Sequence, residues 1–349
     1  MSDRSKPVLV TGGAGFAGSY IVRQLLDDGY DVVVYDLGEY RPESRYIIGP
    51  EVDRIPLERG SIDIWPRVFE VVQHYRPGAI VHTANIMDIG LLDRNPIMAL
   101  YVNVGGAVNV MEAARLLGAE RVILFSSVAV HGQKMYEPID VNHPTIMARI
   151  GPLGAYGAAK VAAEAFSYAY RDDFGLDTRV IRPSALYGFG MSWFAPNYVK
   201  NILEPAVLGE PVRLASGGPV PRSYIHAADM ALLTSLVVSG PGPDAADHLF
   251  YAATDGPLRT GGDVARIVRE QIPGADIEVA EAMTESDRHE LPFRGVISID
   301  NARSQLGYAP RFMRLEEGIA DYIERFRGFL AAGHTPMAKP QTMRVPGSG

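Results

Sequence analysis

Residues 7–36 constrain this chain more than any other stretch. Val8-Leu9-Val10 is an apolar, β-branched run that ends at Thr11-Gly-Gly-Ala-Gly-Phe-Ala-Gly18. Tyr20, Ile21, Val22, Leu25 and Leu26 then follow at helical spacing, and Gly29 closes that helix. Asp31-Val-Val-Val-Tyr-Asp36 reads as a second buried strand with a carboxylate at its end. A strand, glycine turn and helix in this order point backbone N–H groups at the helix N-terminus, where a pyrophosphate gains hydrogen bonds and dipole attraction. Gly12, Gly15 and Gly18 allow that approach because any Cβ would hold the phosphates off, and Phe16 and Ala17 open the helix beside them. Asp36 stands where it can accept from both hydroxyls of an adenosine ribose. The expectation is NAD rather than NADP, since Asp36 would repel a 2′-phosphate. Arg41 is read as a solvated loop charge.

The same alternation continues along the chain. Gly78–Ala84, Arg121–Ser127 and Thr178–Pro183 are apolar strands, separated by helical patterns over 66–75, 96–117 and 156–174, while 38–56 is polar and turn-rich. Strands apolar throughout and separated by helices imply a parallel sheet covered on both faces. The predicted class is α/β, a Rossmann-type doubly wound parallel sheet with a smaller C-terminal α/β substrate lobe. Residues 1–184 form the NAD-binding part with the Tyr/Lys helix, 185–332 mainly the substrate lobe with some segments returning to the sheet, and 333–349 a tail. Ligands of such sheets bind beyond the carboxyl ends of the strands. There fall the glycine turn, Asp36, His82, the small residues Thr83 and Ala84, Ser127 and Pro183. His82 is expected to shape the cofactor wall rather than titrate.

A formal charge of −8 argues against nucleic acid as a partner, because phosphate backbones call for clustered lysine and arginine. The chain has no cysteine, which excludes disulfides and thiolate chemistry. No signal-like apolar segment opens it and no stretch is read as approaching membrane-spanning length, so a cytoplasmic, soluble protein with no membrane partner is expected. No His/Asp/Glu cluster has metal spacing.

Tyr156 and Lys160 lie four apart on a predicted helix and share one face. A cation beside a phenol favours the phenolate, which could serve as a base for an alcohol proton. Ser127 ends a neighbouring strand and could hydrogen-bond the reacting oxygen.

Seven motifs occur in order: the turn 11–18, Asp36, Asn103-Val-Gly-Gly-Ala-Val-Asn109, Ser126-Ser127, Tyr156-Gly-Ala-Ala-Lys160, Arg182-Pro183 and Arg222-Ser-Tyr-Ile-His226. Together they resemble the extended short-chain dehydrogenase/reductase superfamily, its NAD-dependent epimerase/dehydratase group, from Val8 to about Phe326. The resemblance implies Tyr156 as base and Lys160 as the residue that holds the nicotinamide ribose and depresses the tyrosine pKa. It implies Ser127 as the group orienting the substrate hydroxyl, and Asn103 as support through backbone or water. Pro183, Thr83 and Ala84 would border the cofactor. Ser61, beside Ile62, replaces an acid that in relatives contacts adenine, a contact that could pass to Asp63. A homodimer through 102–116 and 158–170 is implied as well.

Departures from the family pattern narrow the reaction. Ser127-Val128-Ala129 stands where dehydratases carry Thr-Asp-Glu, so elimination of water is not expected. Ala185 replaces a usual asparagine, and Arg294-Gly295-Val296 lacks the usual aspartate, two groups that normally grip a diphosphate. Arg222 and Arg213 remain as anion contacts. His131 replaces a usual tyrosine and could reach substrate. Tyr187, Phe189, Met191, Trp193 and Phe194 suggest a partly apolar substrate pocket. The reading is an NAD-dependent epimerase or dehydrogenase that oxidises a secondary alcohol of a sugar or sugar-like substrate. The alternatives are a dehydrogenase or reductase of a non-nucleotide, partly apolar alcohol, and a non-catalytic NAD-binding regulator.

Overall fold

The computed structural model describes residues 5–145, 154–193, 198–243 and 247–338. Its strands, numbered in chain order, are β1 (Val8–Thr11), β2 (Val32–Asp36), β3 (Leu57–Arg59), β4 (Ala79–His82), β5 (Arg121–Phe125), β6 (Asp177–Pro183), β7 (Ala185–Tyr187), β8 (Val212–Leu214), β9 (Tyr224–His226), β10 (Leu249–Ala252) and β11 (Ile277–Val279). Seven of them make one parallel sheet in the order β10-β6-β5-β4-β1-β2-β3. The α/β class and its doubly wound sheet are thus as the sequence predicts.

Successive strand residues face opposite sides of the sheet, and the core divides accordingly. Val8 and Val10 pack with Ile21 and Leu25 of α1 (Phe16–Asp27) and with Met230 of the later helix Ala227–Ser239. Leu9 packs on the other side with Val68 and Val72 of α2 (Trp65–Tyr75), Val110 of α3 (Pro96–Leu117) and Ala163 of α4 (Gly154–Phe174). Neighbours of β1 run to β2 on one side and β4 on the other, so a crevice opens at the carboxyl end of β1. Beyond β6, the pairs β7–β9 and β8–β11 form two small sheets, and β10 returns to the edge of the large one beside β6.

The turn-rich reading of 38–56 gives way to a helix, Pro42–Ile48, followed by a 3-10 turn, Pro50–Arg54. Pro42 sits at the first helical position, where its missing N–H is harmless, and burial of Ile47 and Ile48 supplies the packing. The expectation that no stretch approaches membrane-spanning length also fails, since α3 is long and apolar enough by composition. Half of its most apolar window is buried, and it packs against α2 and α4. Within α3, Ala99–Gly105 is a π-helix rather than a regular α-helix. The start of the tail is packed as well: the His334 ring stacks on Phe329 at 4.7 Å. Met337 accepts from the Trp193 indole at 2.8 Å and donates its N–H to Glu43 at 3.2 Å.

Candidate functional site

The glycine turn is closed by contacts that leave no room for side chains. Gly12 has φ +74°, and a Cβ there would lie 2.7 Å from both Thr83 Oγ1 and the Ala84 nitrogen. A Cβ on Gly18 would lie 2.2 Å from the Gly12 carbonyl oxygen, whereas one on Gly15 would meet that oxygen at 3.2 Å. Asp36 fixes the turn from the neighbouring strand, accepting from Ala14 N at 3.0 Å and from Gly38 N at 3.1 Å. The Thr83 hydroxyl donates to the Thr11 carbonyl at 2.7 Å, tying the ends of β4 and β1. Half-buried Phe16 and Ala17 begin α1 at the mouth of this cradle. A backbone so close-packed, at the N-terminus of a helix, fits the pyrophosphate of a dinucleotide.

Other candidates from the sequence surround the same crevice by different means. The Ser61 hydroxyl is engaged by Asp63, and Ile62 turns its buried side chain onto Gly106. Asn103, inside the π-helical stretch, bonds both backbone groups of Ile86, accepting at 2.7 Å and donating at 3.0 Å. It thereby holds the loop that leaves β4. Arg41 is not a solvated charge: it is half-buried, donates to the Gly190 carbonyl at 3.1 Å, and is drawn below the usual guanidinium range by burial.

Ser127, Tyr156 and Lys160 come together beyond β5. The Ser127 hydroxyl caps the 3-10 turn Val128–Val130 by accepting from Ala129 N at 3.1 Å, and it stands beside the Tyr156 phenol. The Lys160 ammonium donates to the Phe125 carbonyl at 2.6 Å and stands 5.7 Å from the centre of the Tyr156 ring. Burial pushes the Tyr156 phenol up to about 12, and the group that opposes this is Ser127. The lysine itself is fixed on the β5 backbone. Burial draws Lys160 down to about 8, against the pull of Glu164. His82 Nδ1 lies 2.8 Å from Thr11 Oγ1, and burial, reinforced by Lys160, lowers this imidazole to about 3, so it stays neutral.

Three expected substrate contacts have other surroundings. His131 is 1 % exposed, shares its Nε2 with the Tyr251 hydroxyl at 2.5 Å and is lowered to about 2 by burial, which makes it a packed core residue. The predicted apolar pocket is core too: Tyr187, Phe189, Met191 and Trp193 are all buried, and Phe189 packs on Phe329 at 5.1 Å. Phe194 lies outside the described residues. Arg213 is exposed and paired with Asp276.

Arg222 is 3 % exposed and donates to Glu290 at 2.7 Å, and Arg294 donates to the same carboxylate oxygen. Half-buried Ala185 lies beside this cluster, since its N–H donates to the Ser223 carbonyl at 2.9 Å. Among the described residues, neither arginine's Nε nor the Tyr224 hydroxyl has a partner. Glu290 carried no signal in the sequence, because it meets Arg222 across 68 residues. Glu164 could have been found from its spacing, four positions beyond Lys160.

These features define a dinucleotide-binding α/β protein with a hydroxyl, a phenol and an ammonium gathered at the carboxyl edge of its sheet. Residues 8–247 match the model of the NAD dependent epimerase/dehydratase family. The UDP-glucose 4-epimerase of Mycolicibacterium smegmatis is 30% identical over 322 residues, covering 91% of this chain and 98% of the relative. The UDP-glucuronic acid decarboxylase 1 of Xenopus tropicalis is 28% identical over 352 residues, covering 97% of this chain and 77% of the relative. The structure of Thermus thermophilus UDP-glucose 4-epimerase complexed with NAD superposes with a TM-score of 0.76 at 26% identity, covering 92% of this chain and 99% of that one. The chain belongs to the NAD dependent epimerase/dehydratase family. It is an NAD-dependent enzyme of oxidoreductase type that acts on a secondary alcohol of a small sugar or sugar-like molecule.

Proposed function

We propose that the enzyme is an epimerase of a sugar carried on a nucleoside diphosphate, with Ser127, Tyr156 and Lys160 as its catalytic residues. The observation behind the substrate reading is the excess of donors around Glu290. A buried donor without an acceptor costs about 1–3 kcal/mol. Two guanidiniums share one carboxylate oxygen and leave their Nε donors, with the neighbouring Tyr224 hydroxyl, without acceptors, and a diphosphate would supply the acceptors they lack. The UDP-glucose 4-epimerase and UDP-glucuronic acid decarboxylase relatives point to the same class. With Tyr187, Phe189, Met191 and Trp193 committed to the core, the case for an apolar substrate is weaker. Residues 1–184 then serve mainly the cofactor and 185–332 mainly the substrate.

Gly12, Gly15 and Gly18 would cradle the pyrophosphate of NAD and Asp36 its adenosine ribose, with Pro183 and Ala84 bordering the cofactor. When bound, NAD supplies the hydride acceptor and a positively charged ring. As the phenolate, Tyr156 Oη takes the carbinol proton while Ser127 Oγ, beside it, holds the same oxygen. Lys160, anchored on the Phe125 carbonyl, offers its remaining N–H groups to the site. Inversion requires the ketone to turn within the pocket before Tyr156 returns the proton. Ala129 leaves no carboxylate beside Ser127 to drive loss of water.

The chain is proposed to dimerise through α3 and α4, which are packed together and expose Leu100, Tyr101 and Phe166. The deciding assay incubates the protein with NAD and UDP-glucose and follows the sugar by proton NMR and NADH by absorbance. Formation of UDP-galactose without free NADH is the expected result. Release of NADH would make it a dehydrogenase, and a pentose product from UDP-glucuronate would make it a decarboxylase. Equal turnover of the free sugar and its nucleotide would overturn the substrate reading.

A further inference from the structure

The face of α4 that carries Tyr156 and Lys160 bears a third ionisable side chain. Glu164 is one helical turn beyond Lys160 and only 6 % exposed. Both of its oxygens are occupied by Arg182 of β6, which donates Nε at 2.9 Å and Nη2 at 2.6 Å. Arg182 also donates Nη1 to the Tyr251 hydroxyl at 2.8 Å, and that hydroxyl is shared with His131 Nε2. A fork of two parallel bonds fixes a carboxylate in direction as well as distance. The helix bearing the candidate base is thus bolted to β6, β10 and the turn after β5.

We infer that Glu164 is a positioning residue for the reaction: clamped by Arg182, it is the counter-charge that keeps Lys160 an ammonium beside Tyr156. This rests on the proposed roles of Tyr156 and Lys160. The groups that face Lys160 from each packed element are few. β5 offers the Phe125 carbonyl, β4 offers the neutral His82, and α4 itself offers the Tyr156 phenol and Glu164, with Arg182 of β6 behind the latter. Among the described residues, Glu164 is the one carboxylate that acts on Lys160. Burial alone favours the neutral amine, and a neutral amine gives a developing phenolate no electrostatic support. The clamp supplies an anion at a fixed place one helical turn from Lys160.

The sign of the pH effect follows. Turnover needs the ammonium, so it is present below the lysine pKa and lost as pH rises through it, at about 8. Glu164→Gln removes the counter-charge and should move this alkaline limb of kcat to lower pH by about one unit. The substrate KM stays near its original value, because Glu164 does not face the substrate. Glu164→Asp keeps the charge but withdraws it, so the limb should move the same way by less; it also serves if the glutamine variant does not fold. An alkaline limb unchanged in a folded Glu164 variant overturns the inference. Tyr156→Phe, assayed alongside, separates the two levels. If it is inactive while the Glu164 limb is unmoved, only this inference falls; if it retains turnover, the underlying assignment of roles falls.

Discussion

One methyl group at residue 18 is enough to test the dinucleotide cradle. Since a Cβ there would lie 2.2 Å from the Gly12 carbonyl and 2.6 Å from Gly13 Cα, Gly18→Ala must push the turn away from α1. We predict at least about a tenfold weaker affinity for NAD, or about 1.4 kcal/mol, by calorimetric titration. Gly15→Ala, with its nearest contact at 3.2 Å, should weaken binding less, and the reverse order would contradict this account of the turn. At this scale the sequence was most informative where backbone geometry or helix spacing restricts the choice of residue, as in the glycine turn and the Tyr156–Lys160 pair. It was least informative where tertiary packing brings distant residues together. Nothing around His131 announced that Tyr251 would absorb it, and nothing near Arg222 announced Glu290.

Among the elements, strands buried on both faces were readable because their apolar runs are continuous, as in Val8–Val10 and Arg121–Phe125. The helix Pro42–Ile48 escaped because its apolar residues gather at its end, and the π-helical stretch of α3 has no periodicity that separates it from an ordinary helix. That stretch presents Asn103 to the loop after β4, where the side chain replaces a backbone partner for both polar groups of Ile86. Π-helical turns occur often at functional sites. Asn103→Ala should therefore leave both groups without their protein partner, at about 1–3 kcal/mol. Thermal unfolding would register the loss, and amide exchange should accelerate at Ile86 while β1 and β5 stay protected. Unaltered exchange at Ile86 would mean that the loop holds itself.

Across the whole molecule, two apolar helices and one returning strand matter most. Leu100 and Phe166, 53% and 45% exposed, lie on helices that are otherwise packed against the sheet. Replacing both with glutamate should convert the proposed dimer to monomer in light scattering behind gel filtration, with the fold intact by circular dichroism. A wild-type mass equal to one chain would remove the proposal. The returning strand has a consequence for biosynthesis. Because β10 completes the edge beside β6, and the helix Ala227–Ser239 covers the face shared with α1, a nascent polypeptide that has emerged only to residue 184 carries an open edge and bare valine and isoleucine side chains. The first 184 residues can therefore complete their sheet only after some seventy further residues have emerged.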